Sequence, residues 1–316
     1  MKYSRDAIVN IAFYNVENLF DTIDDPNTND DKFTPRGERN WTYKRYYRKI
    51  KKISYVISQI GKKNSTETPV LVGLAEVENT RVLEDLVNQK SLQNCGYRYV
   101  HFDSNDERGI DTALLYRDKF FDPVSTDRMQ FSFLDENGSF DHTRDVLLVS
   151  GFLNGELVHV IVNHWPSRRE GEELSKPKRI KAADVVKEAI DQIASKDPNA
   201  KIIIMGDFND NPTSESVREH LVTDDFFNPM LPLYEGGNGT LTFQKQWYLF
   251  DQIILSKNFK EEDTSHRFIS ATIFNKKWLT THKGKHKGSP FRTFIGPWYK
   301  GGFSDHFPVF VSLSKN

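Results

Sequence analysis

KIIIMGDFND, residues 201–210, opens on a short, almost wholly apolar run and ends in Gly-Asp-Phe-Asn. A run of this length without polar alternation predicts a buried strand over residues 201–206. Asp207 and Asn209 then stand just past its C-terminal end, where strand alternation would turn both side chains to one side. Gly206 gives the backbone room to turn. A carboxylate beside an amide can hold a metal ion, or orient a water and take its proton. The same two residue types also favour an Asx turn.

This arrangement recurs along the chain. IVNIAFY (8–14) alternates as a strand and leads into Asn15. VLVGLA (70–75) is a fully apolar strand with Glu76 at its C-terminal end. TALLY (112–116) is another. Asn154-Gly155 lies between the β-rich arms of DVLLVSGFLNGELVHVIVNH (145–164) and predicts a hairpin whose second arm delivers Asn163 and His164. DQIIL (251–255), opened by Asp251, and FPVFVSL (307–313), preceded by Asp305-His306, are two more strands.

Helices are interspersed. Tyr43, Tyr46, Ile50, Ile53, Ile57 and Ile60 recur at helical spacing before Gly61. Asn79 can cap a second helix with Val82, Leu83, Leu86 and Val87 inward. Ile180, Ala183, Val186, Ile190 and Ile193 predict a third over 180–194. Many strands with interspersed helices predict an α/β chain of two packed sheets covered by helices. No boundary divides it, since a cut would split the polar motifs, so residues 1–316 are expected to form a single domain.

The 316 residues carry 37% hydrophobic and 13% aromatic side chains, enough for a sizeable core. A formal net charge of -1 gives no global mark of a nucleic-acid binder. Locally, Asn275 to Gly302 holds Lys276, Lys277, Lys283, Lys285, Lys287, Arg292 and Lys300 without an acidic residue, as a solvated loop or a track for a polyanion. Cys95 is the only cysteine, which excludes an intrachain disulfide framework and a cysteine zinc site. No apolar stretch reaches membrane-spanning length, so no membrane insertion is expected. MKYSRDAIVN lacks a signal-peptide core, so the chain as given reads as cytoplasmic, or as exported if a leader was removed.

Phosphate-ester hydrolysis needs neutralised phosphate charge, an in-line nucleophile and a protonated leaving oxygen. Glu76 is the candidate anchor for a hard cation, against the plainer reading of an exposed strand-end glutamate. His164 can donate to a leaving oxygen, or be a hydrogen-bonded structural histidine. Asp251 would fix the tautomer of His306 if their strands are neighbours. Arg144 and Arg168, near the hairpin arms, could clamp a phosphate or form surface ion pairs; Asn163 is a further substrate-binding candidate.

With these residues the chain resembles the endonuclease/exonuclease/phosphatase superfamily, the fold of DNase I and exonuclease III, from FYNVEN (13–18) to SDHFPV (304–309). Its opening, FYNVENLFDTIDDP, looks like a bacterial subgroup without a settled substrate. The resemblance implies a four-layered αββα sandwich of two mixed sheets flanked by helices, with the site at one end of the sheets. It implies metal-side roles for Asn15, Glu76 and Asp305, and a leaving-group role for His164. Asp207 and Asn209 would handle the nucleophile and phosphate, Asp251 would orient His306, and His306 would meet the phosphate. Glu17 and Asp111 fall where some members carry acidic residues.

The expected activity is a Mg²⁺- or Mn²⁺-dependent phosphodiesterase acting as a monomer on nucleic acid, as an endonuclease or exonuclease. The alternative is a lipid or small-molecule phosphoesterase of the sphingomyelinase or inositol-phosphatase kind. A non-catalytic binding module ranks last, because binding alone needs no such residue set.

Overall fold

The computed structural model describes residues 3–134, 138, 140–262 and 264–315. In chain order its principal strands are β1 (Ile8–Leu19), β2 (Leu71–Val77), β3 (Tyr97–His101), β4 (Asp111–Arg117), β5 (Phe121–Met129) and β6 (Val146–Leu153). β7 (Glu156–His164), β8 (Lys201–Asp207), β9 (Phe226–Phe227), β10 (Asp251–Ser256), β11 (His266–Ile273) and β12 (Val309–Lys315) follow. They form two six-stranded sheets, ordered β11-β12-β1-β2-β4-β3 and β9-β10-β8-β7-β6-β5. Both sheets are mixed, with β1 parallel to β2 and β7 parallel to β8. A parallel pair needs a long crossover. Helix α1 (Tyr43–Gln59) lies in the first, and α3 (Glu172–Lys196) in the second; the short α2 (Thr80–Val87) follows β2.

The apolar faces of α1 and α2, including Ile50, Ile53, Ile57, Val82 and Leu86, join the main core with the first sheet. Ala182, Ala183, Val186 and Ala189 of α3 pack with Ile161, Ile202 and Ile204 on the outer face of the second sheet. The layers are therefore helix, sheet, sheet, helix.

Asn79 caps α2 by accepting the Val82 N–H at 3.0 Å. Asn154 and Gly155 turn the β6–β7 hairpin with φ of 48° and 91°. Several boundaries differ from expectation. Helix α3 begins at Glu172, well before residue 180, and contains Pro177. Its first turns bury Ser175 and Arg179, polar side chains that leave no apolar periodicity to read. Tyr43, on the predicted inner face of α1, is 62% exposed and lies against Tyr47 instead. The basic segment is pinned rather than merely solvated. It forms a small hairpin, Phe294–Ile295 with Trp298–Tyr299, whose Phe294 and Tyr299 rings pack 5.9 and 6.5 Å from buried Trp41.

Period-two alternation sorts the second sheet. Val158, Val160 and Val162 of β7, Ile203 and Met205 of β8, and Ile253 and Leu255 of β10 face the first sheet. Continuing each row puts His164, Asp207 and Asp251 on that inner face. They also share one level, since Asp207 pairs with both His164 and Asp251 in register.

The sheets approach closely below this level. A Cβ at Gly73 would lie 2.5 Å from Met205 Sδ and 3.0 Å from the Phe13 ring. Gly73→Ala is therefore expected to overpack the interface and cost about 1–3 kcal/mol in urea unfolding. A neutral substitution would mean that the sheets separate freely at this point.

Candidate active site

Asp207 stands at the centre of the polar cluster. It is 2% exposed. Its Oδ1 accepts the Asn209 N–H at 2.9 Å, and its Oδ2 accepts Asn15 Nδ2 at 2.9 Å, across the two sheets. The Nε2 atoms of His164 and His306 each lie 3.9 Å from the same Oδ2. Burial pushes the Asp207 carboxyl up to about 6; Asp251 adds to the rise and His306 opposes it.

His306 Nδ1 lies 2.7 Å from Asp251 Oδ2. Their strands are not sheet neighbours, as β10 and β12 belong to opposite sheets, so the pair forms across the interior. Burial alone would lower the His306 pKa, but Asp251 and then Asp207 outweigh it and raise it well above the usual value. His164 goes the other way. Burial, with Arg144, Arg108 and His306 nearby, holds it well below the ordinary range, and its Nδ1 is buried without a hydrogen-bond partner.

Glu76 lies inside β2, one residue before its end, at a bulge in the pairing of β2 with β4. Its φ is 67°, a left-handed conformation unusual for a glutamate. The turn aims its carboxylate at the cluster. Oε2 accepts the Asn18 N–H at 2.7 Å, and Oε1 lies 3.4 Å from Asn15 Nδ2 and 3.9 Å from His164 Nε2. Glu17 and Asn18, at a matching irregularity in β1, are also left-handed.

Asn15 is oriented with its NH2 toward Asp207 and Glu76, because its Oδ1 accepts the Glu17 N–H at 2.9 Å. In this geometry it bridges the two carboxylates as a donor, and its Oδ1 is already turned to the Glu17 N–H. Glu17 is buried away from Glu76. It accepts the Thr293 N–H at 2.6 Å, and lies 3.9 Å from Lys49 Nζ and 3.3 Å from Arg292 Nε. Asp305 pairs with Arg292 Nη2 at 2.8 Å. Burial would raise Asp305, but Arg292, His306 and Lys49 together hold it below the usual carboxylate range.

Asn209 does not continue the strand. At φ 49° it closes the Asx turn on Asp207, and its Nδ2 donates to Trp165 O at 2.9 Å. Arg168 serves that loop. Its Nε donates to Asn209 O at 2.7 Å, its Nη1 meets Glu172 at 2.6 Å, and its Nη2 binds Asp210. All three nitrogens thus have partners within the protein. Asn163 alternates to the face of β7 opposite His164, where a Cβ on Gly206 would lie 2.7 Å from its own Cβ. Arg144 remains beside His164, tied to Asp106 at 3.1 Å and to Trp165 O at 2.9 Å. Asp111 lies apart, near His101.

Three supporting residues, Asp210, Ser304 and Arg108, escaped the sequence reading, and a fourth, Arg292, was placed there only in the basic segment. Asp210 anchors the 207–211 loop through Arg168, Arg179 and Ser216. Ser304 donates to Asn15 O at 2.7 Å and accepts the His306 N–H at 3.0 Å, joining two motifs. Arg108 and Arg292 complete the charge around the site. Ser304 and Asp210 each adjoin a recognised motif, which is the only local signal they carry.

The donor set fits a hard divalent ion. Glu76 and Asp305 offer carboxylate oxygens at the more exposed edge, with side chains 14% and 30% accessible. Together with Glu76 and Asp305, the carboxylates of Glu17, Asp207 and Asp251 outnumber their partners Lys49, Arg292 and His306, and a divalent ion would offset that excess. Asp207, Asp251 and His306 also bring one ligand atom each within 4.8 Å of one another. His306 Nδ1 there already holds Asp251, so the trio is arranged first for a proton.

The model of the Endonuclease/Exonuclease/phosphatase family matches residues 10–315. No curated protein matches the chain. Among solved structures, an endonuclease/exonuclease/phosphatase family protein from Bacteroides thetaiotaomicron is similar with TM-score 0.60 and 18% identity, over 98% of this chain and 95% of that one. A mannosyl-6-phosphatase from the same organism is similar with TM-score 0.58 and 19% identity, over 96% and 99% of the two chains. TDP2 of D. rerio, complexed with single strand DNA product, has TM-score 0.60 and 13% identity, over 98% and 100%. At these identities the structures speak for the fold, and the family match over nearly the whole length speaks for the chemistry. The chain belongs to the endonuclease/exonuclease/phosphatase family of phosphoester-hydrolysing enzymes, which typically depend on a divalent metal.

Proposed function

We propose that residues 1–316 form one catalytic domain, a divalent-metal-dependent phosphodiesterase that hydrolyses a nucleic-acid phosphodiester by in-line attack of water. The observation that carries this is Asp207, a buried carboxylate with its pKa near 6, fixed by Asn15 and Asn209 and flanked by two histidines of opposite charge tendency. Such a group is ionised at neutral pH and basic enough to take a proton from water.

Glu76 and Asp305 would hold the ion, which would neutralise phosphate charge and polarise the ester. His306, cationic and locked by Asp251, meets a phosphate oxygen. Burial, and then Arg144 and Arg108, keep His164 neutral in the free protein. A bound phosphate would offset the two arginine charges, so His164 would regain part of its proton affinity as substrate arrives and could serve the leaving oxygen. Asn209 is set to hydrogen-bond the nucleophile or phosphate, while Arg168 and Asn163 support the scaffold.

The basic segment supports nucleic acid as the substrate, since Arg292 ties it directly to Asp305. A small phosphoester is the second reading. It is favoured by an acidic cavity of about 890 Å³, lined by Asp21, Asp25, Glu78 and Asp106 and by no lysine or arginine, which would repel a long polyanion running over that side. A panel of single- and double-stranded DNA, RNA, a sugar phosphate, a phospholipid and bis-p-nitrophenyl phosphate, each with Mg²⁺, Mn²⁺ or chelator, separates the two. Turnover of the sugar phosphate alone would replace the nuclease reading.

Glu76→Ala is expected to lower kcat by about two orders of magnitude or more. Full activity in that variant, or in excess chelator, would refute the metal mechanism. His164→Ala should be mild on a nitrophenyl ester and severe on an alkyl phosphodiester, whereas His306→Ala should be severe on both; kcat/KM for each pair is the measurement. Equal losses for His164→Ala on the two esters would remove its leaving-group role.

The dyad has its own readout. Asp251→Asn removes the strongest influence raising the His306 pKa, so imidazole ¹⁵N shifts should titrate at lower pH than in the wild type. The sign for stability follows. A histidine raised in the folded state stabilises fully below its unfolded pKa of about 6.5, and this contribution fades as pH rises through the folded value. Asp251→Asn should therefore lose more stability at pH 6 than at high pH. Unchanged ¹⁵N titration would detach the pair.

A further inference from the structure

We infer that His101, Asp103 and Asp111 form a second divalent-cation site, separate from the catalytic one and suited to a borderline transition ion of the zinc or manganese kind. His101 is the last residue of β3 and Asp111 the first of β4, where these antiparallel strands part. His101 pairs with Ala113, so Asp111, two residues earlier, shares the face of β4 next to His101. Asp103, two residues beyond His101, completes the group. One ring nitrogen and one oxygen from each carboxylate lie within 4.8 Å of one another.

The histidine is the independent pointer. Its side chain is 1% exposed, yet Nε2 makes no hydrogen bond. Asp111 Oδ2 lies 3.5 Å from Nε2, and Asp103 Oδ1 lies 3.8 Å from Nδ1. Both separations exceed an N–H···O bond, and they involve different ring nitrogens; an ion about 2.1 Å from Nε2 and from Asp111 Oδ2 would fit the first gap, and the exposed Asp103 side chain would turn from the Nδ1 side to join it. Asp111 is prepared for this. Ser104 N–H donates to its Oδ1 at 3.1 Å, which orients the carboxylate and leaves Oδ2 toward the imidazole. Among the described residues, no lysine or arginine forms an ion pair with Asp103 or Asp111.

The surroundings concentrate cations. Asp103 and Asp111 line the acidic cavity, and on its wall burial together with Asp21 and Asp30 pushes Glu78 up to about 8. One imidazole nitrogen with carboxylate oxygens suits Zn²⁺ or Mn²⁺ better than an all-oxygen Ca²⁺ site does. A bound ion would tie down residues 103–111. That loop carries Arg108 and also Asp106, which holds Arg144 beside His164. The site is thus placed to steady the arginine side of the active site.

The test uses the full chain, stripped by chelator, with Glu76→Gln as background to weaken the catalytic ion. Titration with Zn²⁺, Mn²⁺ and Ca²⁺ by calorimetry, with Co²⁺ as an optical probe, should reveal one transition-ion equivalent in that background. His101→Ala and Asp103→Asn should each weaken it at least tenfold. The Asp103 side chain is 83% exposed, so Asp103→Asn should keep the wild-type circular dichroism and unfolding midpoint in chelator and decides the matter if His101→Ala misfolds. Wild-type affinity in Asp103→Asn, or no ion bound in the Glu76→Gln background, would overturn the site and leave His101 as a buried histidine between two carboxylates.

Discussion

Two polar bridges cross the interior of the sandwich, and the site exists because of them. Asn15 Nδ2 on the first sheet reaches Asp207 on the second at 2.9 Å, and His306 Nδ1 reaches Asp251 at 2.7 Å. Below that level the facing surfaces are apolar as far as the opposite end, where buried His266 of the first sheet meets Glu156 and Asn154 of the second. Buried polar groups are costly unless satisfied, so these pairs fix which end of the sheets carries the chemistry and how the sheets align. Ser304 joins the two bridges by accepting the His306 N–H and donating to Asn15 O. The cross-sheet spacing is in turn set by the missing side chain at Gly73, which admits Met205.

Regular strands cannot aim enough side chains at one point, and the backbone departs from regularity where the cluster needs it. Glu17, Asn18, Glu76 and Asn209 all have φ between 49° and 67°. For a glutamate this costs about 1–3 kcal/mol, which neighbouring contacts must offset. For Glu76 those are the Asn18 N–H bond and the β2–β4 pairing that resumes at Val77. The bulge turns a residue that alternation alone would aim elsewhere. The strain thus lies on the residues that carry the charges.

This explains what could be read from residues and what could not. The buried strands, the Asn154-Gly155 hairpin, the Asn79 cap and the convergence of Glu76, His164, Asp207, Asp251 and His306 all follow from local pattern, because each residue adjoins an apolar run. Asp251 and His306 were legible as a pair only on the condition of neighbouring strands, and the condition is met across the sheets instead of within one. Asn209 and Arg168 took the plainer of the readings open to each, an Asx turn and a set of ion pairs. A one-residue change to left-handed backbone reverses side-chain direction, and no propensity scale separates the Asx turn from a continued strand. The early turns of α3 were invisible because the side chains they bury are polar, and Arg179 among them meets Asp210 from that hidden stretch.

The near-zero net charge conceals a divided field. On one side, carboxylates outnumber the cations that touch them, a deficit matched to a divalent ion. On the other, Arg108 and Arg144 share the single carboxylate of Asp106, so positive charge is in excess beside His164. Under the proposed function the first imbalance would take the ion and the second the substrate phosphate. His164 is held neutral first by its burial and then by these arginines, so an ion beside Glu76 would leave it neutral. An anion on the arginine side would remove part of that depression and none of the burial. On that proposal the leaving-group position gains proton affinity only from the substrate's own charge, and no strong acid stands there while the site is open to water.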